Sequence, residues 1–421
     1  MPVRRSPRGP LLPPGSATRP RALVVESLRG PYGLRGGALA GWHPVDLSAE
    51  LMEKLLSVAR LPGSSLKDVI WGCTSQVGAQ AANVARRSVL AAGWPERIPG
   101  LTIDNHACSS SRALNLAAQA ALTGGGLLLA GGVEVTSAVP LGAPLAQPGI
   151  GKPYGLRLTA RYKEEGGLGP PGLVAEEVCR RWSFTRAELD AWARESLGRA
   201  QSAQEPPPGY VLPLQRLRPS SAAEAAVAPV RGRRPKQAEL LERDEALEGK
   251  RRKADISGLP AAYLHGGVIT AGNMAAEGDG AAAVLVAGAG AAAELGVACK
   301  AAIAGFAVGA TSPAIWPLAA VPASLAALDD AGLRVADIDR WYVYESSAAA
   351  VLAWSKEMDV PLDVVNPNGG ALASTSPVGA VGAGLVAEAV AGLAKGRNGT
   401  ALVCTAGEGG VGAACVLGPP S

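Results

Sequence analysis

Residues 101–135, LTIDNHACSSSRALNLAAQAALTGGGLLLAGGVEV, contain the succession of elements that decides the fold. The pattern predicts a strand that runs into a turn at Cys108, an Ala/Leu-rich helix over about 109–122, and a buried strand at LLLAGGVE. Three glycines at 124–126 end the helix, because glycine commonly follows a last helical turn. Strand, helix and strand in this order indicate an α/β unit with parallel strands.

A similar succession returns near the C-terminus. DVVNPNGG precedes a small-residue helix over about 378–395, and the strand TALVC and the turn GEGG follow. Asparagine, helix, glycine, strand and paired glycines therefore occur at 105–132 and again at 366–410, which predicts a duplicated α/β domain with mostly parallel sheets. A Gly/Ala-rich composition can also produce such a repeat by chance.

Composition limits the class of protein. The chain has 421 residues, of which 48% are hydrophobic and 18% charged, as in soluble globular enzymes. Every apolar run is shorter than the roughly 18 residues that a bilayer-spanning helix needs, so we expect no membrane segment. Six scattered cysteines without C-x-x-C pairs, together with three histidines, predict no metal site and favour a reducing cytoplasm.

Two basic segments carry little information about partners. The first 22 residues contain five arginines, no acidic residue and many prolines, so we predict a disordered basic tail over residues 1–21. A second cluster, Arg231 to Lys236 with Lys250 to Lys253, is interleaved with acids and lacks aromatic residues. We therefore predict a solvated loop there and no nucleic-acid partner.

Further strands and helices are predicted outside the two repeated α/β units. Strands are predicted at 22–28 and 68–73, and helices at 47–59 and 82–93. The region from about 140 to 260 differs in composition and contains helices at 171–182 and after the N-cap residue Thr185. We interpret it as an excursion over the first half, of the kind that shapes a substrate site.

Cys108 is the candidate nucleophile. A helix N-terminus presents free amides and a positive dipole, which favour a thiolate and are expected to lower the pKa of the cysteine. Ser109, Ser110 and Ser111 offer further donors in the first turn. A buried structural cysteine is the alternative that position alone leaves open.

Several long blocks resemble one family. Their order and spacing from about residue 22 to 418 are similar to those of thiolases, the acyl-CoA acetyltransferases. The blocks are ALVVESLRGPYGLRGGALAGWHPVDLSAELM, DVIWGCTSQVGAQAANVARRSVLAAGWPERIPG, DNHACSSSRALNLAAQAALTGG, LAGGVEVTSAVP, PGLVAEEVCRRWSFTRAELDAWARESLGRAQ, GGVITAGNMAAEGDGAAAVLV and VNPNGGALASTSPVGAVGAG. Several long blocks in the right order are far more specific than a single short motif.

The resemblance implies a thiolase fold in the α/β class. It would have duplicated βαβαβαββ halves in a five-layered α-β-α-β-α arrangement, one over 22–285 with a loop domain at about 140–260, the other over 286–421. It also implies a homodimer or homotetramer that binds no cofactor and uses an acyl-CoA or acyl-carrier-protein thioester as substrate. The cysteine would attack the thioester, a histidine would activate it, and a second cysteine would move a proton.

The catalytic blocks depart from the family pattern. The family's Gly-His-Pro reads Thr375-Ser376-Pro377, so a serine stands where the activating histidine is expected. The family's Asn-Glu-Ala-Phe begins at Tyr344, a bulkier residue where an asparagine usually holds a catalytic water. A serine hydroxyl donates a hydrogen bond but does not accept a proton at neutral pH, so general-base help is lost.

Further positions follow the family in part. The pantetheine-contacting serine reads Ala275, the second cysteine is retained as Cys404, and the oxyanion glycine after it reads Ala406. We predict Cys108, Cys404 and Ser376 as catalytic residues. The predicted substrate-binding residues are Tyr344, Ala406, Asn273, Ala275 and Gly370.

Three functions are compatible with this pattern. The first is a divergent acyltransferase that forms an acyl-cysteine at Cys108 and passes the acyl group to an acceptor. The second is a catalytically impaired homologue that serves as a structural or regulatory partner subunit of an active relative. An accessory protein that completes the site is a further possible partner. Lipid or steroid binding rests on fold analogy alone. His106 could replace the missing base, although filling a pocket behind the turn is the favoured interpretation.

Overall fold

The architecture is described from a computed structural model. It describes residues 22–146, 149, 151, 153–163, 168–203, 209–217, 239–248, 256–395 and 399–420. The predicted basic tail and the second basic cluster lie outside the described residues.

The strands of the described residues are, in chain order, β1 (Ala22–Arg29), β2 (Gly33–Leu34), β3 (Leu66–Gly72), β4 (Leu101–Ile103), β5 (Leu127–Val135), β6 (Leu214–Gln215), β7 (Leu240–Leu241), β8 (Gly278–Gly288), β9 (Ala301–Ala310), β10 (Arg340–Val343), β11 (Ala401–Gly407) and β12 (Val411–Gly418). The α-helices of the same residues are α1 (Pro44–Ala59), α2 (Val84–Ala91), α3 (Ser109–Leu122), α4 (Ala143–Ala146), α5 (Leu156–Tyr162), α6 (Pro171–Trp182), α7 (Arg186–Ala203), α8 (Ala289–Leu295), α9 (Ala320–Ala331), α10 (Ala348–Met358) and α11 (Val381–Lys395).

The strand order shows that the chain is duplicated. The first half runs β4-β3-β5-β8-β1, with β3 parallel to both β4 and β5 and with β8 antiparallel to its neighbours. The second half repeats this as β10-β11-β12-β9, with β10 parallel to β11 and β12 antiparallel to its neighbours. A parallel bridge from Val365 to Trp341 stands where the first half has β4. The two sheets meet edge to edge where β1 pairs with β9.

Side-chain alternation along the strands produces the layers. In β8, Ala283 and Leu285 pack into the core beside α1, whereas Val284 and Val286 pack into the central core with residues of α3 and α11. The second sheet alternates in the same way between this central core and an outer core that includes residues of α9 and α10. Because successive residues of a strand point to opposite faces, each sheet separates two helical layers. The predicted five-layered thiolase fold is confirmed.

Small residues let the halves approach closely. A Cβ at Gly132 would overlap the carbonyl oxygen of Gly379, and one at Gly382 would overlap the hydroxyl of Ser111. The amide of Ala383 also donates to the Ser110 hydroxyl at 3.1 Å. The serines that follow Cys108 therefore bind the second half, in addition to forming the first turn of α3.

Two predicted boundaries can be compared with the structure. The division near residue 285 falls inside β8, which pairs with the first half and ends at Gly288. Helix α7 begins as predicted after Thr185, whose amide and hydroxyl each donate to Glu188 at 2.7 Å. Parts of the predicted excursion, including residues 218–238 and 249–255, lie outside the described residues.

Candidate active site

Cys108 lies where β4 leads into α3, directly before the first helical residue. Its backbone carbonyl accepts the amide of Arg112 at 2.8 Å, which starts the helix. The turn before it is fixed by Ser109, whose hydroxyl donates to the His106 carbonyl and accepts the Asn105 amide. The predicted position of Cys108 at a helix N-terminus is therefore what the structure shows.

The expected low pKa of Cys108 is wrong. The side chain is 0% exposed, and its sulfur donates to the Val411 carbonyl at 3.5 Å. Burial raises the pKa of Cys108 to about 12, although hydrogen bonds from Thr405 and Ala413 and the charge of Arg112 favour the thiolate. Desolvation of a sulfur anion outweighs the helix dipole here, because β11 and β12 close over the helix N-terminus.

The segment after Cys404 brings the second half to Cys108. Cys404 lies in β11, and burial raises its pKa to about 12, with the nearby Cys108 adding to the increase. The hydroxyl of Thr405 lies 2.9 Å from that of Ser111, which joins β11 to the first turn of α3. Ala406 is 4% exposed and pairs with Gly412. The two predicted cysteines are therefore neighbours.

Tyr344 and Ser376 form a hydroxyl pair. Their oxygens are 2.7 Å apart, and either can be the donor. Burial raises the pKa of Tyr344 to about 12, the Ser376 hydrogen bond opposes this, and Glu408 and Cys108 both raise it. Tyr344 thus lies close to Cys108 and remains protonated at neutral pH. Each hydroxyl of the pair can donate a hydrogen bond, either to the other or to a third group.

The segment that carries Ser376 is anchored by a buried carboxyl that the sequence patterns did not indicate. Glu134 of β5 accepts the amides of Thr74, Ser75 and Gly379 at 3.0, 3.1 and 3.0 Å. Burial raises the pKa of Glu134, while these donors and Gln80 lower it. The motif around Ser376 is therefore fixed to the first half at the end of β5.

Asn273 was predicted to bind substrate, but its side chain is occupied within the fold. Its oxygen accepts the Thr270 amide at 2.9 Å, and its nitrogen donates to Asp190 and Val268 at 3.0 and 3.1 Å. The side chain is also 0% exposed. Asn273 therefore fastens α7 to the segment before β8. Ala275, two residues later, is partly exposed, and its amide donates to the Ser346 carbonyl.

Gly370 has a packing role beside a cavity. A Cβ there would overlap the Glu345 carboxyl, which accepts hydrogen bonds from Ser196 and Asn366 at 2.8 and 2.9 Å. The cavity has a volume of about 40 Å³, and its walls include Tyr344 and Glu388. Burial raises the pKa of Glu388 to about 7, and its Oε1 has no hydrogen-bond partner among the described residues.

His106 has the carboxyl of Glu408 as a neighbour of its imidazole, and its role as a replacement base for Cys108 stays a prediction. Its backbone is left-handed, with φ of 49°, and its amide donates to Asp104 at 2.9 Å. Its imidazole is close enough to Glu408 to lower the pKa of that carboxyl, which burial raises above its usual value. Glu408 is the charged residue that sequence reasoning missed, because GEGG was interpreted only as a turn.

Within the described ranges, no cluster of three or more His, Cys, Asp or Glu side chains is arranged to hold a metal ion. No helix in the same part of the chain is both long and apolar enough to cross a bilayer.

Comparisons with known proteins identify the family. Models of the thiolase N-terminal and C-terminal domains match residues 22–289 and 297–418. The chain is 32% identical to a steroid 3-ketoacyl-CoA thiolase of Mycobacterium tuberculosis, covering 93% of each, and 34% identical to an Escherichia coli beta-ketoadipyl-CoA thiolase, covering 91% of this chain and 95% of the relative. The crystal structure of human mitochondrial 3-ketoacyl-CoA thiolase superposes with a TM-score of 0.83 at 25% identity, covering 96% of this chain and 100% of that one. The chain therefore belongs to the thiolase family.

Proposed function

We propose that this protein is an acyltransferase that takes an acyl group from an acyl-CoA thioester onto Cys108 and passes it to an acceptor. The observation that carries the proposal is the position of Cys108 at the N-terminus of α3, near enough to Cys404 and to Tyr344, the hydroxyl partner of Ser376, to raise the pKa of both. The named relatives act on 3-ketoacyl-CoA and beta-ketoadipyl-CoA, which supports a CoA thioester as the donor.

The chemistry needs only the thioester and groups of the chain. The Cys108 sulfur attacks the thioester carbon, a bond from that carbon to sulfur forms, and the tetrahedral intermediate carries an oxyanion. In this proposal Tyr344 and Ser376 donate hydrogen bonds to this charge, in the manner of an oxyanion hole, and their hydroxyl pair supports that role. The bond from that carbon to the CoA sulfur then breaks, and CoA leaves as a thiol with the proton that Cys108 lost. An acceptor finally removes the acyl group from Cys108.

We also propose that the protein forms and breaks carbon–carbon bonds slowly. Claisen condensation requires a base to remove a proton from an α-carbon, and Ser376 cannot serve as that base. The family resemblance also leads us to expect the ring of Tyr344, which is bulkier than asparagine, in the place of the catalytic water. Transfer of an acyl group to a reactive nitrogen, oxygen or sulfur nucleophile avoids this proton removal.

A catalytically impaired partner subunit is the competing function. It is favoured by one specific observation, the burial that raises the pKa of Cys108 to about 12 and suppresses its thiolate at neutral pH. An accessory protein, or an acyl-carrier protein as donor, would also fit a site that is closed in the isolated chain.

Intact-protein mass spectrometry tests the proposal. The protein is incubated with acetyl-CoA and longer acyl-CoA thioesters, and Cys108→Ala is the control for other reactive cysteines. We expect one acyl group per chain, located on the Cys108 peptide and absent in the variant. Absence of an adduct with every CoA and carrier-protein thioester would replace this proposal with the partner-subunit function.

Assembly and location are also part of the proposal. Family resemblance supports a homodimer or homotetramer and a division into halves at 22–285 and 286–421. The cysteines of the described residues are all free thiols, which supports a reducing compartment such as the cytoplasm.

A further inference from the structure

The cavity beside Gly370 lies between the two halves and adjoins the candidate site. Its walls include Tyr344, whose hydroxyl pairs with Ser376, and Thr375, the residue before that serine. Arg29 of β1 and Glu388 of α11 also line it. Its volume is about 40 Å³. One water molecule needs roughly 10–15 Å³ of such space, so the cavity has room for about three non-hydrogen atoms.

The positive charge in the cavity wall is already matched. The Arg29 guanidinium donates two hydrogen bonds to the Asp244 carboxylate, at 2.7 and 3.0 Å, and a third to the Gly30 carbonyl at 2.9 Å. Asp244 also accepts the Tyr32 amide at 2.8 Å. A buried bidentate pair of this kind satisfies both of its charges. Arg29 is therefore not free to serve as the full counter-ion of another carboxylate.

A second carboxyl in the wall is satisfied as well. Glu345 accepts the Ser196 hydroxyl at 2.8 Å, the Asn366 side chain at 2.9 Å and the Leu372 amide at 3.2 Å. These three donors come from three separate segments of the chain, which makes Glu345 a part of the framework. It is not the carboxyl that the cavity offers to a ligand.

Glu388 differs from these groups. It is 8% exposed, and its Oε1 has no hydrogen-bond partner among the described residues. Burial raises the pKa of Glu388 to about 7, the charge of Arg29 and a hydrogen bond from Asn368 oppose this, and Asp244 and Glu345 add to it. A buried acceptor without a donor costs free energy, which a ligand that donates a hydrogen bond would recover.

The charges of the wall select the class of ligand. The lining contains three carboxyl groups, on Asp244, Glu345 and Glu388, and one guanidinium, on Arg29. A cation that donates hydrogen bonds supplies both the charge and the donor that ionised Glu388 lacks. A primary ammonium group is compact and has three donors. A guanidinium group alone exceeds three non-hydrogen atoms, and a quaternary ammonium group has no donor.

We propose that this cavity binds the primary ammonium group of a substrate, with Glu388 as the counter-ion that selects it. The assignment to a substrate rests on the proposed function, whereas the ammonium site does not. The amine belongs either to the far end of the acyl group or to the acyl acceptor. In the second case its nitrogen bonds to the acyl carbon and the bond from that carbon to the Cys108 sulfur breaks. One ammonium proton then passes to the sulfur and one to solvent, which leaves an amide.

Binding of ethylammonium tests the site without a thioester. Ethylammonium has three non-hydrogen atoms, and isothermal titration calorimetry measures its Kd, which we expect to be on the order of millimolar at pH 8. Ethanol has the same size without the charge, and tetramethylammonium has the charge without a donor. Both should bind far more weakly than ethylammonium.

The pH dependence of binding identifies the carboxylate. Only ionised Glu388 pairs with the cation, so the affinity should fall by about tenfold between pH 8 and pH 6, on either side of its pKa of about 7. Ethylammonium stays charged throughout. The tyrosines that face Glu388 remain neutral over this range, because burial raises the pKa of each; they are Tyr32, Tyr210 and Tyr342.

Two variants with matched controls locate the site. Glu388→Gln should weaken ethylammonium binding at pH 8 by roughly tenfold or more and remove its pH dependence. Ala203→Leu keeps the carboxyl but fills the cavity, whose wall includes Ala203 at the end of α7, and should also abolish binding. Glu195→Gln alters a carboxyl that is 56% exposed, and Ser202→Leu adds the same side chain at an exposed position. Both controls should bind ethylammonium as the unmodified protein does.

Three results would overturn the ammonium site. They are equal binding by the unmodified protein and Glu388→Gln, binding of ethanol as tight as that of ethylammonium, and no saturable binding, as in a cavity that holds only water. Because the two variants change the cavity differently, a folding defect in one leaves the other as the test.

The source of the amine is tested with thioesters. Acylation of Cys108 by β-alanyl-CoA and 6-aminohexanoyl-CoA is compared with that by butyryl-CoA and heptanoyl-CoA, which end in methyl groups. In a second arm, acetyl-CoA and ethylamine are tested for N-ethylacetamide. We expect a preference for the amine in one arm, of about tenfold or more, that Glu388→Gln removes. Ethylammonium binding without a preference in either arm overturns the substrate assignment. Absence of every acyl adduct at Cys108 overturns the proposed function, and the ammonium site then stands on its binding alone.

Discussion

The two helices of the central layer begin in equivalent places and present different chemistry. Helix α3 follows β4 and begins beside the Cys108 thiol, whereas α11 follows the segment of Ser376 and begins beside a hydroxyl. The two halves pack closely around these helices, because a side chain at Gly132 or at Gly382 would overlap atoms of the opposite half. The close fit between the halves is therefore present in a chain that has a serine at 376, where the family pattern predicts a histidine.

The difference shows which properties the fold alone supplies. Duplication brings a helix N-terminus from each half to one point, and the donors found there are Tyr344 and Ser376. It does not lower the pKa of the thiol, because β12 covers Cys108. Proton transfer at this site must depend on individual side chains rather than on helix geometry.

The largest expected effect comes from restoring the family residues at the second half. Ser376→His with Tyr344→Asn would supply a base and make room for a water, and each aid is worth on the order of 10²-fold or more in rate. We expect acetoacetyl-CoA thiolysis to rise by more than the product of the single changes, since histidine alone leaves the Tyr344 ring in place. Steady-state assays of the three variants measure this, with Cys108→Ala in each background as the control. A double variant no faster than that product would contradict this account of the site.

A smaller effect concerns the buried carboxyl on α11. Burial raises the pKa of Glu388 from 4.5 to about 7, so the native state holds its proton more tightly than the unfolded chain. The unfolding free energy should therefore fall as pH rises between these two values and lose about 3 kcal/mol at most. Glu388→Gln lacks this loss, and its stability relative to the unmodified protein should increase from pH 4 to pH 8.

Urea unfolding of both proteins at several pH values measures this difference. Glu195→Gln, which alters an exposed carboxyl, should show no comparable change with pH. A Glu388→Gln difference that stays constant from pH 4 to pH 8 would show that Glu388 has an ordinary pKa in the folded protein.

Local sequence patterns were sufficient to predict the helices and strands that form the framework of the fold. The helix over 109–122 has the predicted bounds, because its start and end are set by the turn at Cys108 and by the glycines at 124–126. Family order predicts the meeting of Cys108, Ser376 and Cys404; Cys404 does lie near Cys108, and the approach of Ser376 to the sulfur stays a prediction. The boundary near 285 stays a prediction; it falls inside β8, whose alanine-rich sequence carries no signal for the end of the strand at Gly288.

Properties set by distant packing could not be predicted in this way. The pKa of Cys108 depends on Val411 and Ala413, which approach it only in the folded chain. Asn273 is occupied by Asp190 of α7, a partner that no spacing in the sequence reveals. Glu408 stands in a glycine-rich turn and gains its neighbours His106 and Tyr344 from the packing of β11 against the turn before α3.

The central claim is that the Cys108 thiol remains an acyl acceptor although the chemistry of carbon–carbon cleavage is weakened. One ratio of two rates tests this claim most directly. It is the initial rate of CoA-dependent acetoacetyl-CoA cleavage by the unmodified protein, divided by the rate at which acetyl-CoA acylates Cys108 in the same preparation. We predict a ratio well below one, since acylation needs only the thiol and its donors, whereas cleavage also needs the missing base. A ratio at or above one, with both rates measurable, would contradict the account.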